Sequence, residues 1–349
     1  MNVFMTGANG FVGLNIVSAL VAAGHRVTAY VRAGSDTSFL EPFGVRIVRG
    51  SLGDAAAVAS AMDGARAVIH TAGNTSCNRR DLPLLLEANV EATRHVVDAA
   101  AATGVARIVY TSTTSTIGAI AGADRRADET TPLTGFRARS PYAITKRRAE
   151  DIVLSARQRG IEAVILNPAE VIGPYDYNLQ WGRMVLAAYH DQVPFVPPGG
   201  GSFCAATEVG RAHESALTRG RSGERYILGG ADASYEQFIE TAAQVLGKPC
   251  RMPRPHYRRL HLKALLQEKL PALVPGKPVV EPYRMRVFGN VYYFDSSKAV
   301  RELGYSCAPL TRMLHECANW YRRHGYFGPP DLTEDSPLQH ERDTWIPEH

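Results

Sequence analysis

A tyrosine and a lysine four residues apart, Tyr142 and Lys146, are the side chains of this sequence best spaced to move a proton. They stand in Ser140-Pro141-Tyr142-Ala143-Ile144-Thr145-Lys146, which reads as a helix start. Serine caps, and proline suits the first helical position. On a helix the spacing puts phenol and ammonium on one face, which Ala149 and Val153 continue as apolar. Polar groups on such a face need a reason. A phenol titrates near 10 and is a poor base at neutral pH, whereas a neighbouring ammonium favours its ionised form. A phenol tuned in this way can give or take the proton of a carbinol while hydride moves to or from a nicotinamide. The bland alternative is an unremarkable Tyr and Lys on a helix. The position of the motif, one helix after a hydroxyl-rich strand end, speaks against it.

That strand end is Val109-Tyr110-Thr111-Ser112-Thr113-Thr114-Ser115-Thr116-Ile117-Gly118. A hydroxyl there can hold a substrate oxygen while Tyr142 handles the proton. Several hydroxyls compete, and spacing alone does not choose among them. A second motif, Thr6-Gly7-Ala8-Asn9-Gly10-Phe11-Val12-Gly13, lies between the first strand pattern and the first helix pattern. Glycines allow a tight turn and close approach of backbone to a pyrophosphate, and the helix start offers free N–H groups to it. The alternative is a purely structural turn. The second strand pattern ends in neutral Val31 followed by Arg32, where a preference for NAD would place an acid. An arginine there suits a 2′-phosphate, so NADP(H) is expected, with NAD(H) as the alternative. Arg32 could instead be a surface residue, or stack on adenine.

The elements that must position these groups alternate strand and helix. Strands are predicted at Val3–Thr6, Val27–Val31, Val45–Val48, Ala67–His70, Arg107–Thr111 and Ala163–Leu166. Helices are predicted at Phe11–Ala23, Ala55–Met62, Leu82–Ala102 and Pro141–Arg159. The pattern implies an α/β fold: a Rossmann-type doubly wound parallel sheet, binding ligands at its carboxyl edge. After Pro168 the chain becomes richer in Pro and Gly, with one more strand at Tyr226–Leu228 and one more helix at Tyr235–Leu246. We read 1–167 as a nucleotide-binding domain, with segments near 205–248 returning to it. Residues 168–204 and 249–330 form a smaller substrate lobe, and 331–349 a surface-bound or loose tail.

Composition sets bounds. The 349 residues carry a formal charge of +5, too thin an excess to argue for nucleic acid. The five cysteines contain no CxxC pair, so neither a disulfide framework nor a zinc site is expected, and no metal is. No stretch approaches the ~20 apolar residues of a membrane span. The N-terminus opens on a strand pattern rather than a signal peptide, and the expected location is cytoplasmic.

Taken together, Gly7/Gly10/Gly13, His70-Thr71-Ala72-Gly73, Asn89-Val90, Tyr110–Thr113, Tyr142/Lys146 and Asn167-Pro168…Gly173-Pro174 resemble the extended short-chain dehydrogenases. So does Asp295-Ser296-Ser297-Lys298-Ala299…Leu303-Gly304-Tyr305. The similarity covers about residues 1–325. Its texture is that of members resembling dihydroflavonol reductases and 3-beta-hydroxysteroid dehydrogenases, and of hopanoid-associated epimerases. Counted back from Gly118, the resemblance implies Thr113 as the catalytic hydroxyl, with Ser112 adjacent. It implies that Lys146 bonds the nicotinamide ribose. Thr71, Ala72, Gly73, Thr111, Asn167 and Pro168 would then line the cofactor, with Asn89 facing its side; an Asn89 that bonds only backbone is the alternative. A homodimer is common in the family. Ser51-Leu52 departs from the family pattern at the adenine.

Three reactions suit such a scaffold: carbonyl reduction, sugar epimerisation and dehydration. Thr114 and Ser115 follow Thr113 where dehydratases carry an acidic pair, which disfavours dehydration. Tyr175-Asp176-Tyr177 and Trp181 give an aromatic texture that suits an apolar or aromatic ketone, unless these rings are lobe core. Glu170 could bond a substrate hydroxyl. The helix-like stretch Leu260–Leu273 could close over an apolar substrate or pack the lobe. The expected activity is NADP(H)-dependent reduction of a small carbonyl substrate, or the reverse oxidation. A nucleotide-sugar epimerase and a non-catalytic cofactor sensor or scaffold are the alternatives.

Overall fold

The computed structural model describes residues 1–120, 122–270, 274 and 280–328. Seven parallel strands form its main sheet, in the order Arg225–Leu228, Glu162–Pro168, Arg107–Thr111, Ala67–His70, Asn2–Thr6, Arg26–Val31, Arg46–Arg49. Side chains alternate across it, as strand geometry requires. Val3, Met5, Ile69, Val109, Val164 and Leu166 pack on one face, against helices Phe11–Ala22 and Ala206–Ser215. Phe4, Val68, Ile108, Tyr110 and Ile165 pack on the other, against Ala55–Met62, Ala92–Ala102 and Pro141–Ser155. Burial on both faces explains why these strands read as continuous apolar runs. From the first strand the chain winds outward to Arg46–Arg49, then crosses back to Ala67–His70. The crevice at that reversal, outside the carboxyl ends of Asn2–Thr6 and Ala67–His70, is where such sheets bind ligands.

A second, smaller sheet joins Ala231–Ser234, Gly200–Ala205, Val291–Phe294 and Arg126–Ala127, with Glu170–Ile172 paired to Gly200–Ala205. Its lobe core gathers Phe203, Tyr235, Phe238, Met313, Leu314, Trp320 and Tyr321.

Three elements depart from expectation in instructive ways. The predicted helix Leu82–Ala102 is continuous but not uniform: an α turn at Leu82–Leu85, a π-helical stretch Leu86–Glu91, then α-helix Ala92–Ala102. A π turn makes room for a buried polar side chain, and Asn89 lies inside it. The segment 205–248 divides. Ala206–Ser215 and Arg225–Leu228 join the main domain, whereas Tyr235–Leu246 packs in the lobe. Helix Ser297–Leu303, expected in the lobe, returns to the main domain. Ala299, Leu303 and Tyr305 bury in its core, and Lys298 Nζ bonds Glu224 and the Arg225 carbonyl, both at 2.7 Å. The stretch Leu260–Leu273 is helical at Tyr257–Lys269; residues 271–273 and the tail 331–349 lie outside the described residues. No helix among the described residues is long and apolar enough to cross a membrane.

Candidate active site

A cleft of about 2100 Å³ runs along the carboxyl edge of the main sheet and under the lobe. Its floor begins at the glycine loop. Gly7 has φ +69° and packs so close to the next strand end that a Cβ would lie 2.6 Å from the Ala72 nitrogen. A Cβ at Gly13 would lie 1.9 Å from the Gly7 carbonyl oxygen. Only glycine lets the helix abut the loop here. At Gly10, by contrast, nothing would crowd a Cβ closer than 3.4 Å, so this side of the turn stays open to a ligand at the helix start. Asn9, Phe11 and Val12 line the same end. The Asn9 carbonyl accepts from Tyr177 of the lobe at 2.7 Å, which ties the loop to its roof. This cradle fits the pyrophosphate of a dinucleotide.

Arg32 is exposed at the far rim of the cleft, beside Ser35, Gly50 and Ser51. The turn that carries it is held by Arg49, which donates to the carbonyls of Ala33 (3.1 Å) and Ser35 (2.9 Å) and to the Thr37 hydroxyl (3.0 Å). Sequence reading missed Arg49; its one signal is an arginine at the end of an exposed edge strand. No acid ends the strand Arg26–Val31.

Tyr142 and Lys146 both line the middle of the cleft, on the helix Pro141–Ser155 that Ser140 caps by accepting from the Ala143 N–H. Burial pushes the Tyr142 phenol above its ordinary value, and the Cys77 thiol adds to this. The opposing influences are a hydrogen bond with the Thr113 side chain and the charge of Arg284, rather than Lys146. The expected tuning of the phenol by Lys146 is therefore corrected: Tyr142 holds its proton at neutral pH. Lys146 Nζ instead donates to the Thr111 carbonyl at 2.7 Å and lies 4.1 Å over the Tyr110 ring. Burial lowers its pKa to about 7, against the pull of Glu150. Thr71, Ala72 and Gly73 line the floor beside it, with Pro168 further along.

The structure separates hydroxyls that the sequence left in competition. Thr113 is half-buried and faces the cleft, contacting Tyr142. Ser112 also reaches the wall, but donates its hydrogen to Glu150 at 2.5 Å. Thr116 donates to the same carboxylate oxygen at 2.6 Å, and Asn167 at 2.9 Å. Asn167 also holds the Thr113 carbonyl at 3.0 Å and does not line the cleft. Its amide thus holds the wall from behind. Glu150, fully buried and 2.9 Å from Arg225 Nε, is the anchor of this network. The sequence showed only a glutamate one turn after Lys146.

Asn89 is likewise behind the floor. Its amide clasps both backbone groups of Asn74, at 2.7 Å and 2.9 Å, and reaches Thr145 at 3.1 Å. It shapes the loop after Gly73 and does not itself line the cleft. Thr111 is engaged as well. His213 Nδ1 donates to the Val209 carbonyl (2.8 Å), so its Nε2 accepts from Thr111 (2.8 Å), which in turn accepts from Thr71 (2.8 Å).

The lobe supplies the opposite wall. Trp181 lines it, stacked on Tyr235 at 5.7 Å and 16°. Glu170 lines it too, accepting from the Tyr235 hydroxyl at 3.0 Å, and burial raises its carboxyl to about 8. Tyr175 does not reach the cleft: at φ +68° it turns into the core between Phe39, Phe43 and Trp320. Helix Tyr257–Lys269 borders the mouth through His261 and Leu265, leaving Leu262 more than half exposed.

The family model described as the NAD dependent epimerase/dehydratase family matches residues 3–229. The chain belongs to that family. Among curated members it is similar to a putative dihydroflavonol 4-reductase of Synechocystis sp., 32% identical over 93% of this chain and 95% of the relative. It is also similar to the sterol demethylase protein B of Methylococcus capsulatus, 29% identical over 93% and 99%. The crystal structure of gox2253 superposes with a TM-score of 0.79 at 30% identity, over 93% of this chain and 98% of that one. The UDP-glucuronic acid 4-epimerase of Bacillus cereus shares the fold, with a TM-score of 0.74 at 19% identity over 93% and 99%. The family is one of oxidoreductases that use NAD(P), which the glycine cradle and the cleft's tyrosine and lysine suit.

Proposed function

We propose that the protein is an NADP(H)-dependent reductase of a ketone or aldehyde, or runs the reverse oxidation, on a small substrate with an apolar or aromatic body. The observation that carries this reading is that Tyr142, Thr113 and Lys146 line one cleft with the glycine cradle and Trp181. Held in the cradle, the nicotinamide supplies or accepts hydride. Tyr142, protonated at neutral pH, gives its proton to the substrate oxygen during reduction, and Thr113 orients that oxygen. Lys146, beside Gly73, is placed to donate to the nicotinamide ribose. Gly7, Gly10 and Gly13 shape the pyrophosphate seat, Arg32 faces the 2′-phosphate, and Trp181 packs on the substrate's ring or chain. The buried Tyr142 phenol in the cleft argues against a mere cofactor sensor, which has no use for a proton donor at the substrate.

Label transfer tests this. NADPH carrying deuterium at C4 is incubated with the protein and an aryl ketone. Deuterium in the carbinol, with one NADP⁺ formed per alcohol, is expected. An epimerase would return its cofactor unchanged with no net reduction, and a sensor would transfer no label; either result overturns the reading.

A further inference from the structure

One cation in the cleft has almost nothing to bind. Arg137 is only 8% exposed, yet among the described residues no carboxylate pairs with it. A guanidinium carries five N–H donors. Here the described residues match a single one: Nη2 donates to the Thr114 carbonyl at 3.2 Å, a long bond. The Nε–H is buried with no acceptor, and the group rests 5.0 Å from the centre of the Tyr292 ring. A cation–π contact of that kind does not replace hydrogen bonds to a desolvated guanidinium. The Thr114 carbonyl that it touches belongs to the residue after Thr113, and the guanidinium lines the same cleft as Thr113 and Tyr142.

Glu170 completes the picture. It lines the same wall, and its Oε1 is taken by Tyr235, while Oε2 is buried with no partner. Gly201 leaves the room for this carboxyl, since a Cβ there would lie 2.5 Å from Oε1. Arg137 and Glu170 feel each other's charge without forming an ion pair. The raised value of about 8 keeps the carboxyl protonated at neutral pH, so it offers a donor rather than a competing anion. An arginine fork with free donors and a neutral carboxyl beside it is complementary to a carboxylate.

We propose that Arg137 and Glu170 form a receptor for a carboxylate on the substrate. The molecules that this cleft takes are then oxo acids and hydroxy acids with an apolar or aromatic body, rather than plain ketones and alcohols. The inference rests on the substrate-cleft reading above but not on the chemistry performed there.

The test is a binding measurement on the NADP⁺-loaded protein, by calorimetry. Phenylglyoxylate and 3-benzoylpropionate, aryl ketones carrying a carboxylate at two distances, are compared with acetophenone. At least one of the two acids is expected to bind about tenfold or more tighter than acetophenone, the scale of a charge-assisted pair. Arg137→Gln closes that gap, and Arg137→Lys, which keeps charge but not the fork, narrows it. NADP⁺ affinity of each variant reports whether it is folded, and the wild-type comparison decides by itself if Arg137→Gln is not. Equal affinities of acids and acetophenone in the wild type would overturn the receptor, as would a gap that survives in folded Arg137→Gln. Because binding is read without turnover, absence of hydride transfer would sink the redox reading and leave this result standing.

Discussion

The two walls of the cleft are built on different principles. The cofactor floor is made of backbone. Gly7 and Gly13 set close approaches, Asn89 pins the Asn74 peptide groups, and Thr71, Thr111 and His213 are tied into one hydrogen-bonded chain. The lobe wall is made of side chains, with Trp181 and Tyr235 stacked and Glu170 and Arg137 only partly partnered. A preset floor suits one constant ligand, and a wall with unused donors and acceptors suits one that varies between relatives. The difference teaches that hydrogen-bond saturation separates scaffold from recognition surface within a single cavity.

The contrast can be broken from either side. The largest effect is expected from Gly13→Val, whose Cβ would fall 1.9 Å from the Gly7 carbonyl oxygen. NADPH affinity, followed by fluorescence titration, should drop by about 100-fold or more. Near-wild-type affinity would mean that the floor is not preset. Arg32→Ala should lower the ratio of NADP to NAD affinity about tenfold, the worth of one charge-assisted contact. An unchanged ratio removes Arg32 from cofactor choice. On the lobe side, Trp181→Ala should raise KM for an aromatic ketone by about tenfold while NADPH affinity stays within about twofold. A variant that loses both equally would erase the division between the walls.

The smallest effect is one of pH. Burial raises the Glu170 carboxyl from 4.5 to about 8. As pH rises past 4.5 the unfolded chain ionises this group first. Its contribution to stability is therefore fully present below 4.5 and is lost as pH rises to about 8. Glu170→Gln removes that slope, so the wild type should lose a few degrees of Tm relative to the variant across this window. Parallel melting curves would show that Glu170 is solvated.

Legibility in the sequence follows the same division. The floor could be read because each of its parts is a short contiguous run, from Thr6 to Gly13 and from Ser140 to Lys146. The strands could be read because burial on both faces keeps them apolar throughout. The wall could be read only in part: Glu170 and Trp181 were expected at the substrate and line it, whereas Arg137 and Tyr235 come from stretches that no local pattern joins to them. Spacing also could not reveal which polar groups face inward. Asn167 was expected at the cofactor and Asn89 either there or on backbone, and both hold backbone groups, whereas Tyr175, next to Pro174, turns into the core with a positive φ. Glu150 gathers three donors from distant elements, which no local pattern announces. The tuning of Tyr142 was misread because helical spacing shows proximity along one face, but not that Lys146 would turn to the Thr111 carbonyl instead.

The central claim is that Tyr142 moves the proton where the two walls meet. Single-turnover hydride transfer from bound NADPH, measured in the wild type and in Tyr142→Phe, tests it most directly. The account predicts a fall of about 10²- to 10⁴-fold in the transfer rate, with NADPH affinity within about threefold. Transfer at the wild-type rate in Tyr142→Phe would contradict it.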